Sequence, residues 1–175
     1  MPNLDSLRYP VGPLPRTSEP LDAVARNAHE TILERTPSIV RGLVEPLSEA
    51  QLDTPYRPGG WTIRQVVHHL PDSHLNAYLR MKLAVTEDAP VVKTYDEQRW
   101  AELTEARTGP VEMSLLLLES LHVRWVAFLR GLSDAERRRH FLHAEWGTVT
   151  VDEALTMYSW HCRHHTAHIQ NAVRG

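Results

Sequence analysis

Apolar residues spaced three and four apart, sustained over four long stretches, commit this chain to packing helices against one another. The clearest stretch runs from Glu112 to Arg130 and is stopped by Gly131. Another, about Leu21 to Leu47, carries Val24, Ala28, Ile32, Leu33, Ile39, Val40, Leu43 and Val44. Pro37 is expected to kink or split it. A third, roughly Thr62 to Val85, follows the turn-rich loop Thr54-Pro55-Tyr56-Arg57-Pro58-Gly59-Gly60 and shows the stripe Ile63, Val66, Val67, Leu70, Ala77 and Met81. Pro71 inside it removes the hydrogen bond to the Val67 carbonyl, which predicts a kink there. The fourth, about Val151 to Arg174, buries Val151, Leu155, Tyr158, Cys162, Ile169 and Val173. Thr150 with Glu153 reads as its capping box, and Ser48 with Gln51 and Ser133 with Glu136 open short helices. A short helix is expected around Asp96–Ala106, and a small hairpin within Phe141–Thr150. Prolines at 2, 10, 13, 15 and 20 make residues 1–20 an extended arm rather than a helix. The class is all-α, a four-helix bundle with short additional helices and a small hairpin.

The 175 residues suffice for one domain with a proper core. A net charge of -3 argues against nucleic acid or an anionic membrane as a partner, both of which need a basic surface. The longest apolar run, Leu115-Leu116-Leu117-Leu118, is far short of a membrane span, and the N-terminus lacks a signal pattern. The single cysteine, Cys162, forms no internal disulfide and lies on an apolar face, which suits an inert thiol. The expected location is the cytoplasm.

Four of the eleven histidines fall in the eight residues from His161 to His168. His161 and His165 stand one helical turn apart, a spacing by which a helix offers two metal ligands. His161, His165 and His168 form an inward-leaning strip, whereas His164 points more nearly outward. A second group, His68, His69 and His74, sits in the third helix, where periodicity turns His74 inward and puts His68 and His69 on opposite flanks. The plainer reading makes His74 a core histidine and His68 a solvated one. Three imidazoles on one metal leave a position open, which is the catalytic pattern rather than the structural one. No HExxH, GxSxG, P-loop or GxGxxG occurs.

Several segments together resemble the DinB-like superfamily and, within it, the YfiT-like group of proteins described as metal-dependent hydrolases. They are Gln51 through Leu70, with Trp61 and His69; Asp72-Ser73-His74; and Trp160-His161, His164-His165 and His168-Ile169. Tyr9-Pro10-Val11-Gly12 and Tyr95-Asp96-Glu97 with Trp100 add to the likeness. The resemblance implies a single DinB-like domain over residues 1–175. It also implies one divalent metal per subunit, zinc ahead of nickel, on His69, His161 and His165, with the first ligand eight residues after Trp61. In this way it overrides the periodicity in favour of His69 over His74, while Pro71 departs from the group's pattern. The group further implies a homodimer acting on a small molecule. Metal-bound water, with a pKa of about 7, would serve a hydrolase. A low-molecular-weight thiol such as bacillithiol, bound as thiolate in the same place, would serve an S-transferase. The third possibility is a metal-binding stress-response module without catalysis. Asp72 and Glu153 are candidates to orient the imidazoles. His143 in the hairpin is a candidate proton shuttle, beside the plainer reading of a surface histidine.

Overall fold

The computed structural model describes residues 4–17 and 19–174. Four long helices carry it: α2 (Ala23–Val44), α4 (Ile63–Thr86), α7 (Val111–Arg130) and α9 (Val151–Arg174). Between them run α1 (Leu4–Arg8), α3 (Glu49–Leu52), α5 (Glu97–Ala101), α6 (Thr104–Thr108) and α8 (Asp134–Arg137). Strand β1 (Val91–Val92) lies parallel to β2 (His140–His143), which pairs antiparallel with β3 (Gly147–Thr150).

Local chemistry sets most helix starts. The Asp22 carboxylate accepts from the Ala25 N–H at 2.7 Å. Ser48 with Gln51, Thr62 with Gln65, and Ser133 with Glu136 form complete capping boxes, each worth about 1 kcal/mol. Only half of the box expected at α9 forms. Thr150 Oγ1 accepts the Glu153 N–H at 3.1 Å, but the Glu153 carboxylate turns to Arg16 at 2.7 Å, a charged donor that outcompetes a backbone amide.

α2 and α4 each pack chiefly on α7 and α9, so α2 stands diagonally across the bundle from α4 and α7 from α9, while α4 and α7 are neighbours. Long connections make this order possible, because short loops would force consecutive helices side by side. The core has two apolar clusters. One gathers Leu33, Met81, Trp125, Leu129, Phe141, Val149 and Leu155. The other gathers Val40, Val44, Ile63, Val66, Leu70, Leu115, Leu118 and Ile169. Along α4, His74 falls between the residues of the two clusters, and along α9 His164, His165 and His168 do.

Three expectations are corrected and one is extended. The proline-rich arm contains the helix α1, because Leu4–Arg8 is the one proline-free run long enough for a turn. Pro37 does not split α2, which runs on continuously through that buried residue because packing outweighs a single lost hydrogen bond, and Pro71 likewise lies buried inside the continuous α4. The helix expected over 96–106 divides into α5 and α6, because Leu103 re-enters extended backbone between them. The hairpin gains β1 as a third strand.

Candidate metal centre

His69 on α4 and His161 and His165 on α9 each bring a ring nitrogen within 4.8 Å of the other two. The Nε2 atoms of His69 and His161 are 3.2 Å apart. Two imidazole nitrogens on one tetrahedral zinc are separated by about 3.3 Å, given Zn–N bonds near 2.0–2.1 Å. The donor set therefore fits a divalent metal with at least one position open. Trp61, which precedes the Thr62 cap of α4, lies against His69 and His165 with ring centroids at 4.8 and 6.5 Å.

Burial favours the neutral, ligating form of each ring. It pushes His69 down to about 4. It also lowers His161 and His165 well below the ordinary range, with the neighbouring imidazoles adding to the effect.

The other sequence candidates are placed as follows. His74 is fully buried and joins His161, with His74 Nε2 3.0 Å from His161 Nδ1. His68 is not solvated: it is 3% exposed, its Nδ1 lies 2.7 Å from Ser114 Oγ, and its Nε2 donates to the Gly109 carbonyl at 3.2 Å. That tie fastens α4 to the start of α7. His164 does not point to solvent either; it is 8% exposed and stacks on Trp160 at 4.3 Å between centroids. Segment 4–17 passes over this face of α9, with Trp160 Nε1 donating to the Gly12 carbonyl at 3.2 Å, so a flank exposed on an isolated helix is covered here. His143 is 6% exposed rather than superficial, stacks on Trp146, and accepts the Glu145 N–H on its Nδ1 at 3.3 Å. Asp72 makes no hydrogen bond to a histidine, and Glu153 is engaged with Arg16, so neither orients an imidazole. Burial raises the Asp72 carboxyl to about 6. Cys162 is buried and its thiol is pushed up to about 12.

A cavity of about 380 Å³ opens on the three imidazoles, a volume suited to a small organic molecule. Its walls include Tyr9, Trp61, Tyr95, Trp146 and Trp160, with His143 from β2. Arg80 also lines it. Its guanidinium donates to the Lys93 carbonyl at 2.7 Å, is 6% exposed, and has no carboxylate ion-pair partner among the described residues. Sequence reasoning missed Arg80 and His122. His122 was within reach: with Leu115, Leu118 and Trp125 it continues the buried stripe of α7 at helical spacing. No helix among the described residues is long and apolar enough to cross a membrane.

The sequence profile of the DinB superfamily matches residues 32–169. A Bacillus licheniformis protein is 46% identical over 170 residues, covering 95% of this chain and 95% of its own length. YfiT of Bacillus subtilis is 44% identical over 170 residues, covering 97% and 95%. An Oceanobacillus iheyensis protein is 46% identical over 167 residues, covering 95% and 96%. All three carry the provisional name of metal-dependent hydrolase. The solved structure of Bacillus subtilis YfiT matches with a TM-score of 0.93 at 43% identity, over 97% of each chain. It is described as having an unusual four-helix bundle topology, in keeping with the diagonal order found here.

Proposed function

The chain belongs to the DinB superfamily, and from that premise we propose that it is a metal-dependent hydrolase of a small molecule, with one divalent metal per chain on His69, His161 and His165. The observation that carries this reading is the convergence of three neutral imidazoles, buried or partly buried, from two helices on one point in the lining of a cavity. When bound, the metal supplies Lewis acidity at its open position. Zinc suits three nitrogen donors with a fourth position open, and nickel is the second choice.

The chain's own groups supply the rest. The aromatic walls exclude bulk water and strengthen electrostatic interactions inside the cavity. The unpaired guanidinium of Arg80 presents a fixed positive charge, which favours a substrate bearing a carboxylate or developing an oxyanion. His143, accepting on Nδ1, carries its proton at Nε2 and can donate a hydrogen bond from it to an oxygen of a substrate in the cavity. The same reading includes a cytoplasmic homodimer. Met113, Leu116, Leu117 and Val123, left exposed on α7, are available to such an interface, and light scattering decides it.

Purified protein should contain about one zinc or nickel per chain, and His161→Ala should lose it. Wild type without metal, or unchanged content in the variant, would remove the metal centre. Activity is tested on the metal-loaded protein with a panel of esters and amides, and separately with bacillithiol plus a chloro-aromatic electrophile. Metal-dependent hydrolysis is the expected result. Thiol adduct without hydrolysis would replace the hydrolase by an S-transferase using the same three imidazoles. Silence in both assays would leave a non-catalytic metal-binding module.

A further inference from the structure

Two of the three imidazoles are held from behind by chains of histidines, and each chain ends on a backbone carbonyl. From His161 Nδ1 the first chain passes to His74 Nε2 at 3.0 Å, then from His74 Nδ1 to His122 Nε2 at 2.7 Å. It ends where His122 Nδ1 meets the Leu33 carbonyl at 2.6 Å. From His165 Nδ1 the second passes to His168 Nδ1 at 3.4 Å, and His168 Nε2 meets the Arg8 carbonyl at 3.2 Å.

A carbonyl oxygen can only accept, and a neutral imidazole carries one N–H and one lone pair. The direction of every bond follows. His122 donates from Nδ1 to Leu33 and so accepts on Nε2. His74 must then donate from Nδ1 and accept on Nε2, and His161 must donate from Nδ1. By the same steps His168 donates from Nε2 and accepts on Nδ1, so His165 donates from Nδ1. We propose that His74, His122 and His168 are positioning residues whose carbonyl-anchored chains lock His161 and His165 in the Nδ1–H tautomer, so that both Nε2 lone pairs face the metal position. The opposite polarity would set a ring lone pair against a carbonyl oxygen at 2.6 Å with no proton between them. His74, His122 and His168 are at most 2% exposed, and such burial favours the neutral form of each ring.

The anchors are carbonyls that their own helices leave without a partner. Pro37 has no N–H to offer the Leu33 carbonyl one turn earlier. Arg8 ends α1, where the last carbonyls have no intrahelical donor. Pro37 and the short helix α1, both peripheral to the site in sequence, thus act on it through histidines. The use of these tautomers for ligation rests on the metal-centre reading above; the tautomers themselves do not.

The full-length protein, labelled with 15N, stripped of metal and held at pH 8, reports the protonated nitrogen of each ring in long-range 1H–15N correlation spectra. The expected pattern is a single Nδ1–H species for His74, His122, His161 and His165, and Nε2–H for His168. An Nε2–H or averaged signal for His161 and His165 would overturn the assignment even in a protein that binds metal. Locked tautomers in a protein that binds none would instead retire the metal reading and leave the assignment standing. In zinc competition against a chromophoric chelator, His122→Phe should weaken affinity about 10–100-fold. His122→Gln should restore most of it, because one amide group can donate to the Leu33 carbonyl and accept from His74. A folded His122→Phe that binds zinc as tightly as wild type would refute the proposal. Should that variant fail to fold, the wild-type spectra decide.

Discussion

Mild acid should destabilise the metal-free protein steeply, and the buried imidazoles set the size of the effect. Burial holds His69 and His122 at about 4, against 6.5 for an exposed histidine, and also lowers His74, His161 and His165 well below that ordinary value. A group whose folded pKa lies below its unfolded value binds more protons when unfolded, so stability rises with pH across the interval between the two. The penalty is absent above about pH 6.5, grows as pH falls, and is complete below about pH 4 for His69 and His122. Between pH 7 and pH 5 each of these two removes about 1.8 kcal/mol, and together they remove nearly 4 kcal/mol, roughly. Asp72, raised to about 6, acts in the opposite sense, but it is partly solvated and offsets less than one histidine. A domain holds about 5–15 kcal/mol in total, so the net loss is a large share of it. Urea unfolding followed by far-ultraviolet circular dichroism, with chelator present, measures it at pH 7, 6 and 5. Zinc should add stability at pH 7 and little at pH 5, where protons compete for its ligands. A metal-free unfolding free energy that changes by less than about 1 kcal/mol between pH 7 and 5 would refute the claim that burial holds these rings neutral.

Three further outcomes are expected. Glu30 and Arg137 pair at 2.8 Å with both side chains 6% exposed, so Glu30→Gln should cost about 3 kcal/mol in urea unfolding, and no change would show the pair to be dispensable. Cys162 should resist a disulfide exchange reagent in the native protein and react on unfolding, since its thiol is buried and pushed up to about 12; stoichiometric labelling of the folded chain would contradict this. Arg80→Met should weaken binding of small carboxylates to the metal-loaded protein at least about tenfold, the worth of one charge-assisted hydrogen bond, and equal titration curves for the two proteins would rule out Arg80 as an anion site.

The long helices were legible because their signals are local. α7 was expected from Glu112 to Arg130 and runs from Val111 to Arg130; α9 was expected over the residues it occupies. Caps and apolar spacing act within a few residues, and neighbours in sequence suffice to read them. The split considered at Pro37 did not occur, for the complementary reason. A lost hydrogen bond at Pro37 is a local cost, whereas the packing that holds α2 continuous comes from α7 and α9. The exposure of His68 and His164 misled likewise, because each is covered by a segment distant in sequence, whereas His143 is covered by Trp146 of its own hairpin.

On its own, then, the sequence determined that this is a helical bundle and that His161 and His165 share one face of its last helix, since a helix of 3.6 residues per turn admits no other arrangement. It also displayed a resemblance that singled out His69. Only the tertiary structure decided that His69 meets the other two, that α2 and α4 stand on a diagonal, and which atoms face the outer nitrogens of His161 and His165. The state of an imidazole depends on what donates to it or accepts from it across space. Here those partners lie as far off in the chain as Arg8 and Leu33, on carbonyls freed by a helix end and by a proline.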